Sequence, residues 1–453
     1  MTTTEPEALW HLRGNWAPIH EERTETALVV EGTIPPELNG VYIRTGPNPA
    51  SGSSAHWFFG DGMVHGIRLS EGRAEWYRNR QIQTERITGE KPKRTGGGGT
   101  MDFLRGTGNT HVLPHNGEVL CLEEGHWPWR IDTELNTLGV QNYGGALTSS
   151  MTAHPKICPV TGELLAFSYM SYEPPFLNYI RVSPQGELLQ LEPIDIPNMV
   201  MMHDFNVTRS HVVFMDLPLC FDLSVLHTGL PFKFKEEEGA RLGVMPRNGT
   251  NADVRWFEIE PCYVFHPVNA FEETDAAGNE RIVLHVARKA SAYGSGGDDY
   301  SDDGSFLWKW TIDLTAGTVT EEQIDDRNAD FGRVDERVVG LDARFGYMMA
   351  LGEDDGTEPV YGSSLFKYDL RSGGVEEHSL GGDHVHGAEP VFAPRATDAA
   401  EDDGWIMNLV HDEATGVSSF VIIDAQDFTA PPVARITLPQ RVPYGAHGSW
   451  IPD

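Results

Sequence analysis

Hydrophobic residues in this chain fall mainly in short runs that alternate with polar ones, and long helical periodicity is hard to find. Stretches such as "EVLCLEEG", "ELLAFSYMSY", "DVRWFEIEP", "RIVLHVARKA" and "SSFVIIDAQ" are rich in Val, Ile, Phe, Tyr and Trp and bounded by Gly, Pro, Asn or Asp. Such runs read as β-strands. "SEGRA", "SPQGE" and "LRSGG" lie between pairs of them and supply the residues that tight hairpins require. The grouping recurs every 50 to 65 residues or so without a strict repeat. Strands throughout, joined by linkers too short to hold a second domain, predict one closed all-β architecture over residues 1–453. A seven-bladed propeller of about 60 residues per blade uses the chain and removes the exposed sheet edges. A double β-sandwich is the rival. Glycine-rich 94–99 and acidic 294–304 read as mobile surface loops.

Length and composition narrow the function classes. The chain has 453 residues, 40% hydrophobic and 22% charged, enough to bury a sizeable core. Its 34 basic against 67 acidic residues leave a net charge of −33, which argues against nucleic acid and against electrostatic binding to anionic lipid. The N-terminus lacks the basic and apolar regions of a signal peptide, and no apolar run is long enough to span a bilayer. Cytoplasm is the expected compartment. Cys121, Cys158, Cys220 and Cys262 are too scattered for a zinc pattern and too few for a disulfide framework, so buried free thiols are expected.

Of the 18 histidines, most are expected at the surface or in turns, and His20, His115, His227 and His378 have neighbours that suggest no special role. Four others share a setting. His154 in "SSMTAHPKICPVTGELLAF", His203 in "MMHDFNV", His266 in "EPCYVFHPVNAFEE" and His447 in "VPYGAHGSWIP" each lie where an apolar stretch meets Pro, Gly or Asp. Their separations of 49, 63 and 181 residues are about one, one and three blade lengths. Equivalent positions on inner strands converge on a propeller axis, so these imidazoles can meet. Imidazole suits Fe, Zn and Cu, and carboxylates behind the rings would accept their N–H protons. Taken one at a time, each histidine is better explained as a structural residue; the shared setting and spacing reverse that and favour a metal site.

The segments "ELNGVYIRTGPNP", "WFFGDGMVHGIRL", "GNTHVLPHNGEVLCLEEGHWPWRID", "MTAHPKICPVTGELLAFSY", "MMHDFNVT", "FHPVNAFEE", "EPVFAPR" and "VPYGAHGSW" stand in order between residues 27 and 451. They resemble the signatures of the carotenoid cleavage oxygenase family, which includes stilbene- and phenylpropenoid-cleaving members. The resemblance implies a seven-bladed propeller with axial Fe(II), a cap of loops and short helices over one face, and an N-terminal extension over 1–26. It implies His154, His203, His266 and His447 as the iron ligands, supported by Glu124, Glu389 and a third carboxylate. Glu123 competes with Glu124, but the spacing to the following Gly and Pro favours Glu124.

The chain departs from the family at three places. The third carboxylate falls in "ADFGRVDER", where the family reads Glu-Phe-Pro-Arg and this chain has Asp330; one methylene shorter, it needs a bridging water or a backbone shift, or else it merely ends a loop. Ala446 stands where the family commonly has Phe, which widens the pocket unless another strand fills the space. Glu123 stands where stilbene cleavers carry a phenol-gripping lysine, which tilts the substrate towards an apocarotenoid. Thr110 matches a family threonine whose methyl crowds an open metal position, leaving room for a small ligand such as O2. A β-branched residue of an inner strand is the plainer reading of it.

The implied reaction is cleavage of a C=C bond by O2 into two carbonyl products, with a stilbenoid or phenylpropenoid as the alternative substrate. Apolar 217–243 is the candidate tunnel mouth and peripheral membrane contact, or simply a loop over the cap. A non-catalytic binding propeller would not need converging histidines. A zinc hydrolase would keep three protein ligands and an open water site, so a fourth histidine counts against it.

Overall fold

The computed structural model describes residues 9–89, 103–294, 296, 304–352 and 359–453. Residues 94–99, expected to form a mobile loop, lie outside the described residues, as does 294–304 apart from residues 294, 296 and 304. Seven antiparallel sheets follow one another around an axis, confirming the propeller over the sandwich. The second to sixth blades have four strands each, and their inner strands are His111–His115, Lys156–Ile157, Asn206–Val207, Tyr263–Thr274 and Ala329–Arg333.

Both ends of the chain stitch the ring closed. In the first blade the C-terminal strand Gly448–Pro452 pairs with Gly40–Pro47 at the inner edge, and Thr24–Glu25 extends the outer edge. In the seventh blade Val29–Gly32 pairs with Ala434–Thr437 outside, while Val385–His386 and Val391–Pro394 pair with Gly404–Asp412 inside. The outermost strands of these two blades are short, two and four residues, which limits the open edge that could invite aggregation.

Local sequence explains the reversals. In the hairpin between Gly62–Ser70 and Arg73–Gln81, Glu71 and Gly72 have φ of 48° and 76°. Positive φ at both central residues suits a strand twist that ordinary turns would splay. The apolar positions pack blade against blade. Phe167 of the third blade meets Phe205 at 5.0 Å, Tyr179 meets Phe214 of the fourth at 6.0 Å, and Trp310 of the fifth is fully buried. The core therefore lies between sheets and leaves the axis to polar side chains. All four cysteines are free and buried, as expected. His115 and His378 are also buried, contrary to their surface-like sequence context, because strand register turns both inward; each ring contacts a backbone carbonyl, of Gly162 and Phe428.

Residues 217–243 form the small hairpin Leu219–Phe221 with Phe232–Phe234 and the turn Leu223–Thr228. Leu219 and Phe232 are buried there, whereas Leu223 and Leu226 are exposed. No described helix is long and apolar enough to cross a membrane.

Candidate metal centre

The four histidines enter the axis from where their strands begin. His154 and His203 lie two and three residues ahead of the inner strands of the third and fourth blades, and His266 lies within that of the fifth. His447 directly precedes the closing strand Gly448–Pro452, so ring closure and placement of the fourth imidazole are one event. One nitrogen from each lies within 4.8 Å of the others, and all four residues are buried. The 181-residue gap corresponds to the walk from the fifth blade through the sixth and seventh to the first.

Three rings are held from behind by carboxylates. His266 Nδ1 donates to Asp330 Oδ1 at 2.9 Å and His447 Nδ1 to Glu389 Oε1 at 2.8 Å. His203 Nδ1 sits against Glu124 Oε1. Glu123 turns away, its Oε1 meeting His126 Nδ1 and accepting from Gly125 N at 3.1 Å. With a proton on Nδ1 each of these rings can present a bare Nε2 lone pair, and the Nε2 atoms of His203 and His266 lie only 3.0 Å apart. His154 Nε2 is buried with no hydrogen-bond partner among the described residues. Bare lone pairs crowded together in a buried site repel, and a cation between them removes that cost; the donor set therefore fits a transition metal.

The electrostatics agree for most of the site. Burial, with the neighbouring imidazoles adding to it, holds His154 well below the ordinary histidine range, and burial outweighs Glu389 to push His447 down to about 4. Both are neutral, as ligands must be. Burial would lower His203 too, but the Glu124 carboxylate overcomes it and raises that ring. A bound cation would take the place of that proton. Burial would raise Glu389, yet Arg333 and His447 together pull it down and keep it ionised.

Asp330 reaches His266 directly, without a bridging water, from a strand that is locally irregular. Its pairing shifts register between Asp330 and Arg333, and Phe331 has a φ of 58°. The Phe331 ring stacks on His266 at 4.8 Å and lies 5.2 Å from His447, so an aromatic ring from the sixth blade covers two imidazoles beside Ala446. Thr110 lines the same space, with its hydroxyl donating to Asn109 Oδ1 at 2.9 Å.

Three contributors escape a reading of the sequence. Arg333 Nη1 lies 3.0 Å from Glu389 Oε2 and neutralises that buried carboxylate. Asp204 stands 3.7 Å from His154 Nδ1 and accepts from Lys156 Nζ at 2.9 Å, so the fourth imidazole has an acidic neighbour without a direct hydrogen bond. Trp16, from the segment expected to be a mere extension, packs on Trp57 and Tyr361 in the wall of the cavity. A buried ionised glutamate demands a counter-charge, and that demand is the one signal that points to Arg333.

Two spaces meet at the histidines. One, about 920 Å³ and partly continuous with solvent, is walled by Trp16, Trp57, Phe58, Phe265, Phe331 and Tyr361 and reaches His203, His266 and His447. The other, about 640 Å³, is lined by Lys156, Asp204, Arg333 and Glu389 and reaches His154, His266 and His447.

Comparison with known proteins accords with this site. Residues 16–452 match the family described as "RPE65: Retinal pigment epithelial membrane protein". The chain is 37% identical to a carotenoid cleavage oxygenase of Mycobacterium tuberculosis, covering 98% of this chain and 97% of that one. It is 34% identical to carotenoid 9,10(9',10')-cleavage dioxygenase 1 of Arabidopsis thaliana, over 98% and 90%. Among solved structures, lignostilbene dioxygenase of Pseudomonas brassicacearum superposes with a TM-score of 0.84 at 30% identity, covering 98% of each chain. Cobalt-substituted Synechocystis ACO superposes with a TM-score of 0.81 at 29% identity, covering 96% of this chain and 97% of that one. The chain belongs to the carotenoid cleavage oxygenase family, in the group that the RPE65 description covers.

Proposed function

We propose that this protein is an iron(II)-dependent dioxygenase that splits a carbon–carbon double bond of a carotenoid or apocarotenoid with O2, giving two carbonyl products. The observation that carries the proposal is the cluster of four buried imidazoles facing an aromatic-walled cavity. His154, His203, His266 and His447 would hold the metal. Bound there, Fe(II) would supply the activation of O2 that no protein acid, base or nucleophile provides.

The chain's own residues supply orientation and dryness. Glu124, Asp330 and Glu389 hold the rings so that their lone pairs converge. Neutral imidazoles would leave a bound metal its full charge, and Asp330 and Glu389 stay a hydrogen bond beyond the rings. Phe265, Phe331, Trp57 and Tyr361 present apolar surface to an extended alkene and exclude water from the reacting bond. Thr110 borders the same space as His203, His266 and His447, where its bulk would leave room beside a bound metal for only a small molecule such as O2.

We take residues 1–453 as one propeller domain, with 1–26 as an extension that lends Trp16 to the cavity. Exposed Leu223 and Leu226 suit peripheral contact with a membrane from which an apolar substrate is drawn, by a protein otherwise placed in the cytoplasm. A stilbenoid or phenylpropenoid is the second reading, favoured by the likeness to lignostilbene dioxygenase and opposed by Glu123. The test is to incubate iron-loaded protein with an apocarotenal, a C40 carotene, resveratrol and isoeugenol while following O2 uptake and aldehydes. Aldehydes from the apocarotenal or carotene are expected. Turnover of the phenolic alkenes alone would transfer the assignment to the second reading, and no O2 uptake with any of the four would refute both.

A further inference from the structure

One strand of five residues, Ala329–Arg333, serves two of the four imidazoles. Asp330 holds His266 directly, and Arg333 reaches His447 through Glu389. Between these arms the backbone departs from regular pairing. Phe331 adopts a left-handed φ of 58°, which is costly for a bulky side chain, and its N–H donates to Asp330 Oδ1 at 2.7 Å. Such a conformation persists only where its surroundings over-determine it.

Gly332 is the buried residue between the arms. A Cβ there would lie 2.7 Å from Val268 Cγ2 and 3.1 Å from Val268 Cα. The first distance is shorter than real contacts allow, and the second is tight enough to ask a few tenths of an ångström of the Val268 backbone. Val268 belongs to the inner strand of the fifth blade, two residues beyond His266. Any side chain at 332 would therefore force apart the two strands that carry the Asp330 carboxylate and the His266 ring. Asp has little length to spare for a wider gap.

We propose that Gly332 is a positioning residue of the metal centre. Its missing side chain brings the inner strand of the sixth blade against that of the fifth, close enough for the short Asp330 carboxylate to reach His266 Nδ1. The proposal rests on the four-histidine reading of the site.

Co(II) affinity of the full-length, metal-free protein, measured by competition with a chelator, tests it without recourse to the alkene reaction. Gly332→Ala is expected to weaken Co(II) binding about tenfold, at the low end for loss of a group that orients a ligand. Adding Asp330→Glu to Gly332→Ala, one methylene longer, is expected to recover most of that affinity without recovering thermal stability. A merely structural glycine would show no such separation. Should Gly332→Ala not fold, Gly332→Ala with Val268→Ala removes the 2.7 Å contact. That double variant is expected to bind Co(II) within about twofold of Val268→Ala alone, a small fraction of an outer-shell loss. Unchanged affinity in Gly332→Ala, no recovery with Asp330→Glu, or a tenfold deficit in the folded Val268 double variant overturns the proposal. Failure of the unaltered protein to bind Co(II) would instead refute the four-histidine reading.

Discussion

The two sides of the histidine cluster are built from opposite materials. Towards one face, Trp16, Trp57, Phe58, Phe265, Phe331 and Tyr361 form a largely apolar wall, with Lys289 and Asp330 the charged residues on it. Towards the other, Arg333 pairs with Glu389 and Lys156 with Asp204. On that side Glu389 holds His447 by its far nitrogen, and the ion pairs cancel the charge that burial would make costly. Apart from Asp330, which bonds His266, the apolar side makes no described hydrogen bond to the rings and shapes the open space beside them. Ring orientation and the shaping of that space are thereby largely separated, and substitutions on the two sides are expected to alter different measurements.

The largest effect belongs to the ligands that both sides share. His154→Ala, His203→Ala, His266→Ala and His447→Ala are each expected to abolish stoichiometric iron binding and turnover, read by metal analysis and O2 uptake; full iron and activity in any one would remove that residue from the site. Among the carboxylates behind the rings, Glu124→Gln and Glu389→Gln should fold but lose about 10- to 100-fold in iron affinity or activity. Asp330→Asn keeps the shape and exchanges a charged acceptor for a neutral one, at about 1–2 kcal/mol, near tenfold in iron affinity. An Asn variant with unchanged iron affinity would reduce Asp330 to a loop residue.

On the apolar side, Trp57→Leu should leave iron content intact and lower kcat/KM for a long apolar alkene by about fivefold, the scale of about 1 kcal/mol of lost apolar contact. Reduced iron in that variant would break the separation of the two faces. The smallest effect is expected at Glu123, which adjoins Glu124 in sequence but faces His126. Glu123→Gln should bind iron as the parent does, and a tenfold loss would reassign the carboxylate behind His203.

Much of this division was legible before any coordinates. Alternating apolar runs and glycine-bearing hairpins indicate strands, and histidines spaced by whole blades indicate convergence, because both depend on local periodicity. Resemblance to the family supplied Glu124, Glu389 and the place of Asp330. Arg333 was not legible as a partner of Glu389, since 56 residues and a blade boundary separate them and only the ring geometry joins them. Nor was the direct reach of Asp330, which depends on a left-handed Phe331 and a register shift that no propensity announces. Asp204 sits next to His203 in sequence yet its carboxylate meets Lys156 and the neighbourhood of His154, a contact made in the loop ahead of Asn206–Val207. Trp16 reaches the cavity only because the N-terminal segment folds back onto Trp57, Tyr361 and Tyr444.

The central claim is that four neutral imidazoles, with no carboxylate among them, bind one iron per chain. Fe K-edge X-ray absorption of anaerobically loaded protein, combined with metal analysis, addresses it directly. One iron per chain is expected, with the multiple-scattering signature of four imidazole rings and no protein carboxylate in the inner coordination sphere. A fit that requires three or fewer imidazoles, a coordinated carboxylate, or iron at any other stoichiometry would contradict it.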